Sequence, residues 1–176
     1  MNLVLIGYRG TGKSTVAKLL AKQLGMQVVS LDDEIVRHAG QSIPEIVAAH
    51  GWLHFRDLES EVTKRFSERD QIIIDAGGGV ILRQENVDNL RRNGKLFWLR
   101  ASVPVIVARI QGGSERPALT AGKTFTEEVE EVLRTRTPLY EAAAHHQIDT
   151  DTLSAERVAV EVARIYEGGR RATPSV

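Results

Sequence analysis

Cysteine is absent from this sequence. Its absence excludes a disulfide framework and a thiolate metal site, so any catalytic nucleophile must be a residue of another type. Neither sign of charge is in excess, because 23 Lys and Arg residues balance 23 Asp and Glu residues. A chain without net charge does not favour a nucleic-acid partner or a polybasic membrane anchor. We therefore expect a small-molecule partner.

Long apolar runs are also missing. No stretch approaches the roughly 18 apolar residues of a membrane span, and the first apolar run, Leu3–Ile6, follows no charged leader or cleavage site. We therefore expect a soluble cytoplasmic protein. The length of 176 residues suits one domain rather than two. Small size and balanced charge favour a monomer.

Short apolar runs typical of buried strands alternate with segments of helical spacing. This alternation predicts an α/β fold with three layers, in which helices cover both faces of a five-stranded parallel sheet. The predicted strands are Leu3–Ile6, Val28–Leu31, Ile72–Ile74, Leu96–Leu99 and Gln147–Asp149. We assign residues 1–167 to a single domain. Residues 168–176 have little to bury and are predicted to form a disordered tail.

A glycine-rich segment, GYRGTGKS, occupies residues 7–14 between the first predicted strand and a helix. This spacing in this context predicts a phosphate-binding loop (P-loop) that takes a nucleotide such as ATP. Glycines allow backbone N–H groups to face phosphate oxygens, and the helix N-terminus adds its positive end. Lys13 is expected to reach the β- and γ-phosphates, and the Ser14 hydroxyl is expected to bind Mg²⁺. The predicted nucleotide-binding residues of this loop are Gly10, Thr11, Gly12, Lys13, Ser14 and Thr15.

Carboxylates follow the next two predicted strands. Asp32 comes after the second strand and Asp75 after the third, so both are expected near the phosphates at the carboxyl edge of the sheet. Asp75 either holds Mg²⁺, as carboxylates do in phosphoryl transfer, or caps the glycine turn that follows it. That turn, residues 77–79, offers backbone groups to a polar ligand or is a simple loop.

A loop-rich segment, residues 112–123, interrupts the helical pattern. It is either a mobile lid over the site or an ordinary surface loop. Arg116 lies in it, and Arg56 and Arg136 lie in predicted helices on either side. Guanidinium groups suit carboxylate and phosphate ligands.

Taken together, these motifs resemble the shikimate kinase family, the small ATP-dependent kinases of aromatic amino-acid biosynthesis within the nucleoside monophosphate kinase fold group. The resemblance covers nearly the whole chain. Besides the phosphate loop, it rests on Asp32 with Ile35, Gly40–Ile43 leading into Phe55–Glu59, the triple glycine 77–79, Arg116-Pro117, and Arg136–Tyr140.

The resemblance implies a P-loop kinase that transfers the γ-phosphoryl group of ATP to the 3-hydroxyl group of shikimate. Asp32 would orient or deprotonate the attacking hydroxyl, and Lys13, Asp32 and Arg116 would be the catalytic residues. Arg116 would close with the lid over the γ-phosphate, and Arg109 would stack on adenine. The implied substrate-binding residues are Asp32, Arg56, Gly78, Gly79 and Arg136, with Glu59 holding Arg56.

The sequence departs from the family pattern at two places. The family usually has Asp-x-Asp after the second strand, whereas Ser30-Leu31-Asp32 retains only the second Asp. We hypothesise that Asp75 supplies the missing carboxylate, so that Ser14 and Asp75 hold the metal. The pocket wall is also altered, with Val47 where an aromatic residue is common. Two alternatives therefore stay open: a kinase for another small hydroxy acid or sugar acid such as gluconate, and a non-catalytic nucleotide-binding regulatory domain.

Overall fold

Five parallel strands form one sheet in the computed structural model, which describes residues 1–111 and 124–171. The strands are β1 (Asn2–Ile6), β2 (Gln27–Ser30), β3 (Ile72–Asp75), β4 (Gly94–Arg100) and β5 (His146–Asp149). The helices are α1 (Lys13–Leu24), α2 (Leu31–Ala39), α3 (Ile43–Ser67), α4 (Gln84–Arg92), α5 (Val103–Gln111), α6 (Phe125–Ala143) and α7 (Ala155–Arg171), with a short 3-10 turn at Val80–Leu82. The predicted α/β class and all five predicted strands are confirmed.

Both faces of the sheet are covered by helices, which explains why its central strand is apolar throughout. Leu3 and Leu5 point to the core that α1 and α7 complete. Val4 and Ile6 point to the opposite core, to which α3, α4 and α6 contribute. All four side chains are fully buried. This is the three-layer arrangement that the alternating pattern predicted.

The order of the strands is β2-β3-β1-β4-β5, so β1 has β3 on one side and β4 on the other. The chain therefore changes direction across the sheet at β1. In open α/β sheets such a switch point leaves a crevice at the carboxyl ends of the strands, where ligands bind. The loop after β1 and the turn after β3 border this crevice.

Several element boundaries differ from the sequence prediction by one or more residues, and two of these differences have a clear physical cause. β2 ends at Ser30 rather than Leu31, because the Ser30 hydroxyl accepts a hydrogen bond from the backbone N–H of Asp33 at 3.2 Å and caps α2. Helix α7 continues to Arg171, so residues 168–171 are helical, whereas the sequence predicts a disordered tail from residue 168. Buried Val162 and Tyr166 anchor this helix, and each further residue adds one backbone hydrogen bond. Residues 172–176 lie outside the described residues.

Helix α3 is divided by Gly51, whose φ of 81° is incompatible with a continuous helix. A capping box lies at its start, where Ser42 and Glu45 exchange hydrogen bonds. The second part of α3 carries Arg56 and Glu59 to the carboxyl edge of the sheet. Within the ranges described above, no helix is both long enough and apolar enough for a membrane span.

Candidate active site

The phosphate loop connects β1 to α1, as its sequence predicted. Gly12 adopts a φ of 91° and ends the loop at the first turn of α1. The Lys13 ammonium group donates hydrogen bonds to the backbone carbonyls of Gly7 at 2.8 Å and Tyr8 at 3.1 Å. These bonds hold the positive charge across the mouth of the loop, where phosphate oxygens bind in this motif.

Asp75 lies directly beside the phosphate loop. The Ser14 hydroxyl donates a hydrogen bond of 2.5 Å to Oδ2 of Asp75. Burial raises the pKa of the Asp75 carboxyl above its usual value, while the charge of Lys13 and the Ser14 hydroxyl act in the opposite direction. A hydroxyl oxygen and a carboxylate oxygen thus meet at the edge of the loop, and oxygen is the ligand type that Mg²⁺ prefers.

Strand register explains how Asp75 relates to the position at which the family usually has a first Asp. Ser30 and Asp75 are direct neighbours in the parallel pairing of β2 with β3. The Ser30 hydroxyl serves as the cap of α2. A carboxylate is therefore present at the same level of the sheet, one strand away from the usual position.

In the turn after β3, Gly77 is the first of three glycines and lies against Asp32. A Cβ atom at Gly77 would lie 2.7 Å from Oδ1 of Asp32, which is closer than real Cβ contacts allow. The glycine thus makes room for the carboxylate at the wall of the crevice. Asp32 and Gly77 both line the cleft that also contains the phosphate loop.

The third glycine leaves room for Arg56 in the same way. A Cβ atom at Gly79 would lie only 2.0 Å from Nη1 of Arg56. The same nitrogen donates a 2.6 Å hydrogen bond to Glu59, one helical turn later on α3. Burial raises the pKa of the Glu59 carboxyl above its usual value, and the Arg56 guanidinium opposes this shift. The predicted role of Glu59 in holding Arg56 agrees with this contact.

The second glycine is held from helix α6. Its backbone carbonyl accepts hydrogen bonds from Arg136 at 3.1 Å and from the Tyr140 hydroxyl at 2.6 Å. Tyr140 is fully buried and stacks on Trp98 of β4, with ring centroids 5.6 Å apart. The turn thus joins three predicted groups, because Asp32, Arg56 and Arg136 contact successive glycines.

This geometry has a counterpart among known proteins. The family model for shikimate kinase matches residues 9–167 of the chain. The chain belongs to the shikimate kinase family. This membership favours neither the gluconate kinase nor the non-catalytic alternative.

Two curated shikimate kinases and one solved structure illustrate the similarity. The shikimate kinase of Thermodesulfovibrio yellowstonii is 42% identical and is matched over 94% of this chain and 95% of its own length. That of Rhodopirellula baltica is 43% identical over 92% of this chain and 88% of its own. A shikimate kinase from Acinetobacter baumannii, solved in complex with shikimate, superposes with a TM-score of 0.89 at 30% identity, covering 96% of this chain and 93% of that chain.

The phosphate loop opens into a cleft of about 570 Å³, within the range of small-molecule sites. Arg109 lies at its border and donates hydrogen bonds to the Thr150 carbonyl at 2.8 Å, the Thr150 hydroxyl at 3.0 Å and the Gly10 carbonyl at 3.3 Å. These bonds fix the plane of the guanidinium group. Its stacking on adenine stays a prediction.

The predicted loop residues do not all face the cleft. Gly10, Gly12, Lys13, Ser14 and Thr15 line it. The Thr11 side chain is buried, and its hydroxyl donates to the Tyr8 carbonyl at 2.8 Å within the loop. Its backbone N–H donates to the same carbonyl at 3.4 Å, so in this structure Thr11 braces the loop from inside rather than facing the cleft. The cleft size, the loop and the paired oxygens of Ser14 and Asp75 fit ATP with Mg²⁺, which shikimate kinases use.

Arg116 and the expected lid, residues 112–123, lie outside the described residues. Arg83 supports the part of α3 that carries Arg56, a contact that the sequence did not indicate. Arg83 donates hydrogen bonds to the backbone carbonyl of Arg56 at 3.1 Å and to Asp57 at 2.7 Å. It anchors the turn of α3 that carries Arg56. No motif marks Arg83, because these two hydrogen-bond partners are more than 20 residues away in sequence.

Proposed function

We propose that this protein transfers the γ-phosphoryl group of ATP to the 3-hydroxyl group of shikimate. The observation that carries the proposal is the meeting of Asp32, Arg56 and Arg136 on one glycine turn beside the phosphate loop. An acceptor with a carboxylate and several hydroxyl groups matches two guanidinium groups and one carboxylate arranged in this way.

The acceptor side works by positioning and electrostatics. Arg56 and Arg136 bind the substrate carboxylate, and backbone groups of Gly78 and Gly79 contact the ring. Asp32 accepts a hydrogen bond from the attacking hydroxyl and takes its proton as the new oxygen–phosphorus bond forms. The bond between the γ-phosphorus and the bridging oxygen then breaks, and ADP is the leaving group. Fixing both reactants in line supplies most of the acceleration.

On the donor side, Lys13 neutralises charge on the β- and γ-phosphates, and the backbone N–H groups of Gly10 and of residues 12–15 surround the phosphate oxygens. Arg109 stacks on the adenine ring. Arg116 stabilises charge on the transferring group once water is excluded. Mg²⁺ supplies further neutralisation of the phosphate charge when it is bound.

Ser14 and Asp75 are our proposed protein ligands for Mg²⁺, directly or through water. Asp75→Asn should raise the Mg²⁺ concentration for half-maximal activity by about 10-fold or more, a typical effect of losing a group that tunes a metal site. The double variant Ser30→Asp with Asp75→Ser returns the carboxylate to the usual family position and should recover part of the loss. An Asp75→Asn variant with unchanged turnover and Mg²⁺ dependence would contradict this role.

The acceptor is tested by a coupled assay of ADP release with ATP and Mg²⁺. Shikimate, its methyl ester, gluconate and a blank without acceptor are compared. We expect turnover with shikimate, and a kcat/KM for the ester lower by about 10²-fold, because two charge-assisted pairs lose their charged partner. Equal turnover of shikimate and its ester would contradict the carboxylate clamp, and turnover of gluconate alone would replace the proposed acceptor.

A monomeric state is a further proposal, supported by the small size and balanced charge of the chain. Light scattering tests it, and a mass of one chain at assay concentration is the expected result. A stable dimer under those conditions would contradict it.

A further inference from the structure

A buried ion pair links the phosphate loop to helix α6 and has no part in the functions assigned above. Nη2 of Arg9 lies 3.0 Å from Oε1 of Glu128. Glu128 is fully buried, and the Arg9 side chain is 15% exposed. Arg9 also donates through Nε to the Tyr8 hydroxyl at 3.3 Å, and its guanidinium lies 5.2 Å from the ring centroid of Phe125.

Arg9 occupies the place where the two halves of the site meet. It lines the cleft together with the phosphate loop and the glycine turn. A Cβ atom at Gly78 would lie 3.7 Å from the backbone nitrogen of Arg9 and 3.5 Å from the Gly7 carbonyl oxygen. The phosphate loop and the glycine turn are therefore in van der Waals range of each other at this point. Any shift of Arg9 moves the donor loop relative to the acceptor turn.

Helix α6 supports both halves. Glu128 in its first turns holds the phosphate loop through Arg9, and Arg136 and Tyr140 further along hold the carbonyl of Gly78. Residues 128 to 140 of one helix span about 18 Å at the usual rise per residue. One helix thus contacts both the loop that binds phosphate and the turn that binds the acceptor.

A buried ion pair is weak evidence for a role in stability, because its desolvation penalty often equals or exceeds its Coulombic gain. Replacement of such a pair by apolar residues of similar volume is often neutral or stabilising. The position of Glu128 near the N-terminus of α6 lowers the cost of its charge, since the helix dipole favours an anion there. A directional ion pair can fix the position of Arg9 in the phosphate loop, whereas a pair of apolar side chains cannot.

We propose that Glu128 is a positioning residue for phosphoryl transfer, which fixes the phosphate loop against the glycine turn by holding Arg9. This inference rests on the proposed function. The ion pair sets the position of the phosphoryl donor relative to the acceptor hydroxyl. A displacement of about 1 Å between them can lower the rate by 10²-fold.

Two variants test the proposal: Glu128→Gln, and the apolar double variant Arg9→Met with Glu128→Leu. The control is Glu161→Gln, which neutralises Glu161 in its exposed ion pair with Arg164 on α7. We expect kcat with shikimate to fall by 10-fold or more in both test variants, with the affinity for ADP changed by less than about 3-fold. The double variant should regain the thermal unfolding midpoint that Glu128→Gln loses. The control should match the wild type.

A purely structural pair gives a different pattern, in which the double variant regains both the unfolding midpoint and the wild-type kcat. That result would overturn the proposal. Hydrogen exchange of the backbone amides of residues 8–11 supplies a second readout that does not depend on the acceptor. We expect faster exchange in both test variants, and unchanged exchange would also overturn the proposal. If the wild type does not turn over shikimate, the proposed function fails, and the exchange measurement alone decides the role of Glu128.

Discussion

Substitution of Gly79 by Ala displaces Arg56, one of the two proposed carboxylate-binding arginines, without touching the nucleotide side. The added Cβ would lie 2.0 Å from Nη1 and 2.4 Å from Cζ of Arg56, whereas ordinary contact begins at 3.4 Å. The guanidinium must therefore retreat by about 1.4 Å, the difference between 3.4 and 2.0 Å. The displaced atoms are the end of a flexible side chain, so we expect the fold to persist.

The retreat of Arg56 moves a carboxylate-binding group by more than 1 Å and weakens its 2.6 Å contact with buried Glu59. We expect kcat/KM for shikimate to fall by about 10²-fold, equivalent to about 2.7 kcal/mol, with KM for ATP changed less than about 2-fold. The unfolding midpoint should fall by a few degrees, because a buried carboxylate loses part of its pairing.

The assay measures ADP release under saturation with one substrate while the other is varied. Gly168→Ala is the matched control, because a Cβ atom at this position in α7 meets open space. We expect the control to keep wild-type kinetics. A Gly79→Ala variant that keeps kcat/KM for shikimate within 3-fold of the wild type would refute the argument that the glycine makes room for Arg56.

Three further predictions concern the rim of the site and the sheet. Tyr140→Phe removes the 2.6 Å bond to Gly78 and should lower the free energy of unfolding by about 1 kcal/mol in urea titrations, with a rise in KM for shikimate. Arg109→Met should raise KM for ATP while leaving KM for shikimate unchanged in the same kinetic assay, because the bonds to Thr150 hold it on the nucleotide side. Burial lowers the pKa of His145 below its usual value of 6.5, and its Nδ1 accepts a hydrogen bond from a backbone N–H of β4. The contribution of neutral His145 to the free energy of unfolding should therefore be fully present above about pH 6.5 and be lost as the pH falls through the pKa of the folded state. Urea titrations from about pH 5 to 8 check this, and His145→Gln should make the free energy of unfolding depend less on pH.

Local motifs were sufficient to predict the phosphate loop and the alternating elements. The loop depends on residues 7–14 and on the strand before it, all of which are adjacent in sequence. The apolar run of β1 indicated a strand covered on both faces, and Leu3 and Val4 are indeed buried in opposite cores. Such features are encoded within a few residues.

Contacts between distant residues could not be predicted in the same way. The triple glycine suggested a backbone surface for a ligand, but its steric reason lies in Asp32 and Arg56, which come from two other elements. The pair of Arg9 and Glu128 joins residues 119 positions apart, and no periodicity marks it. The end of β2 was missed by one residue because the hydroxyl of Ser30 caps the next helix.

The central claim is that the phosphate loop and the glycine turn bring ATP to the 3-hydroxyl group of shikimate. Phosphorus and proton NMR of the product formed with ATP, Mg²⁺ and shikimate tests it most directly. We predict one phosphorylated product, with phosphorus coupled to the proton on carbon 3 of the ring. Phosphorylation at another hydroxyl, or no phosphorylated product from folded protein that binds ATP, would contradict the claim.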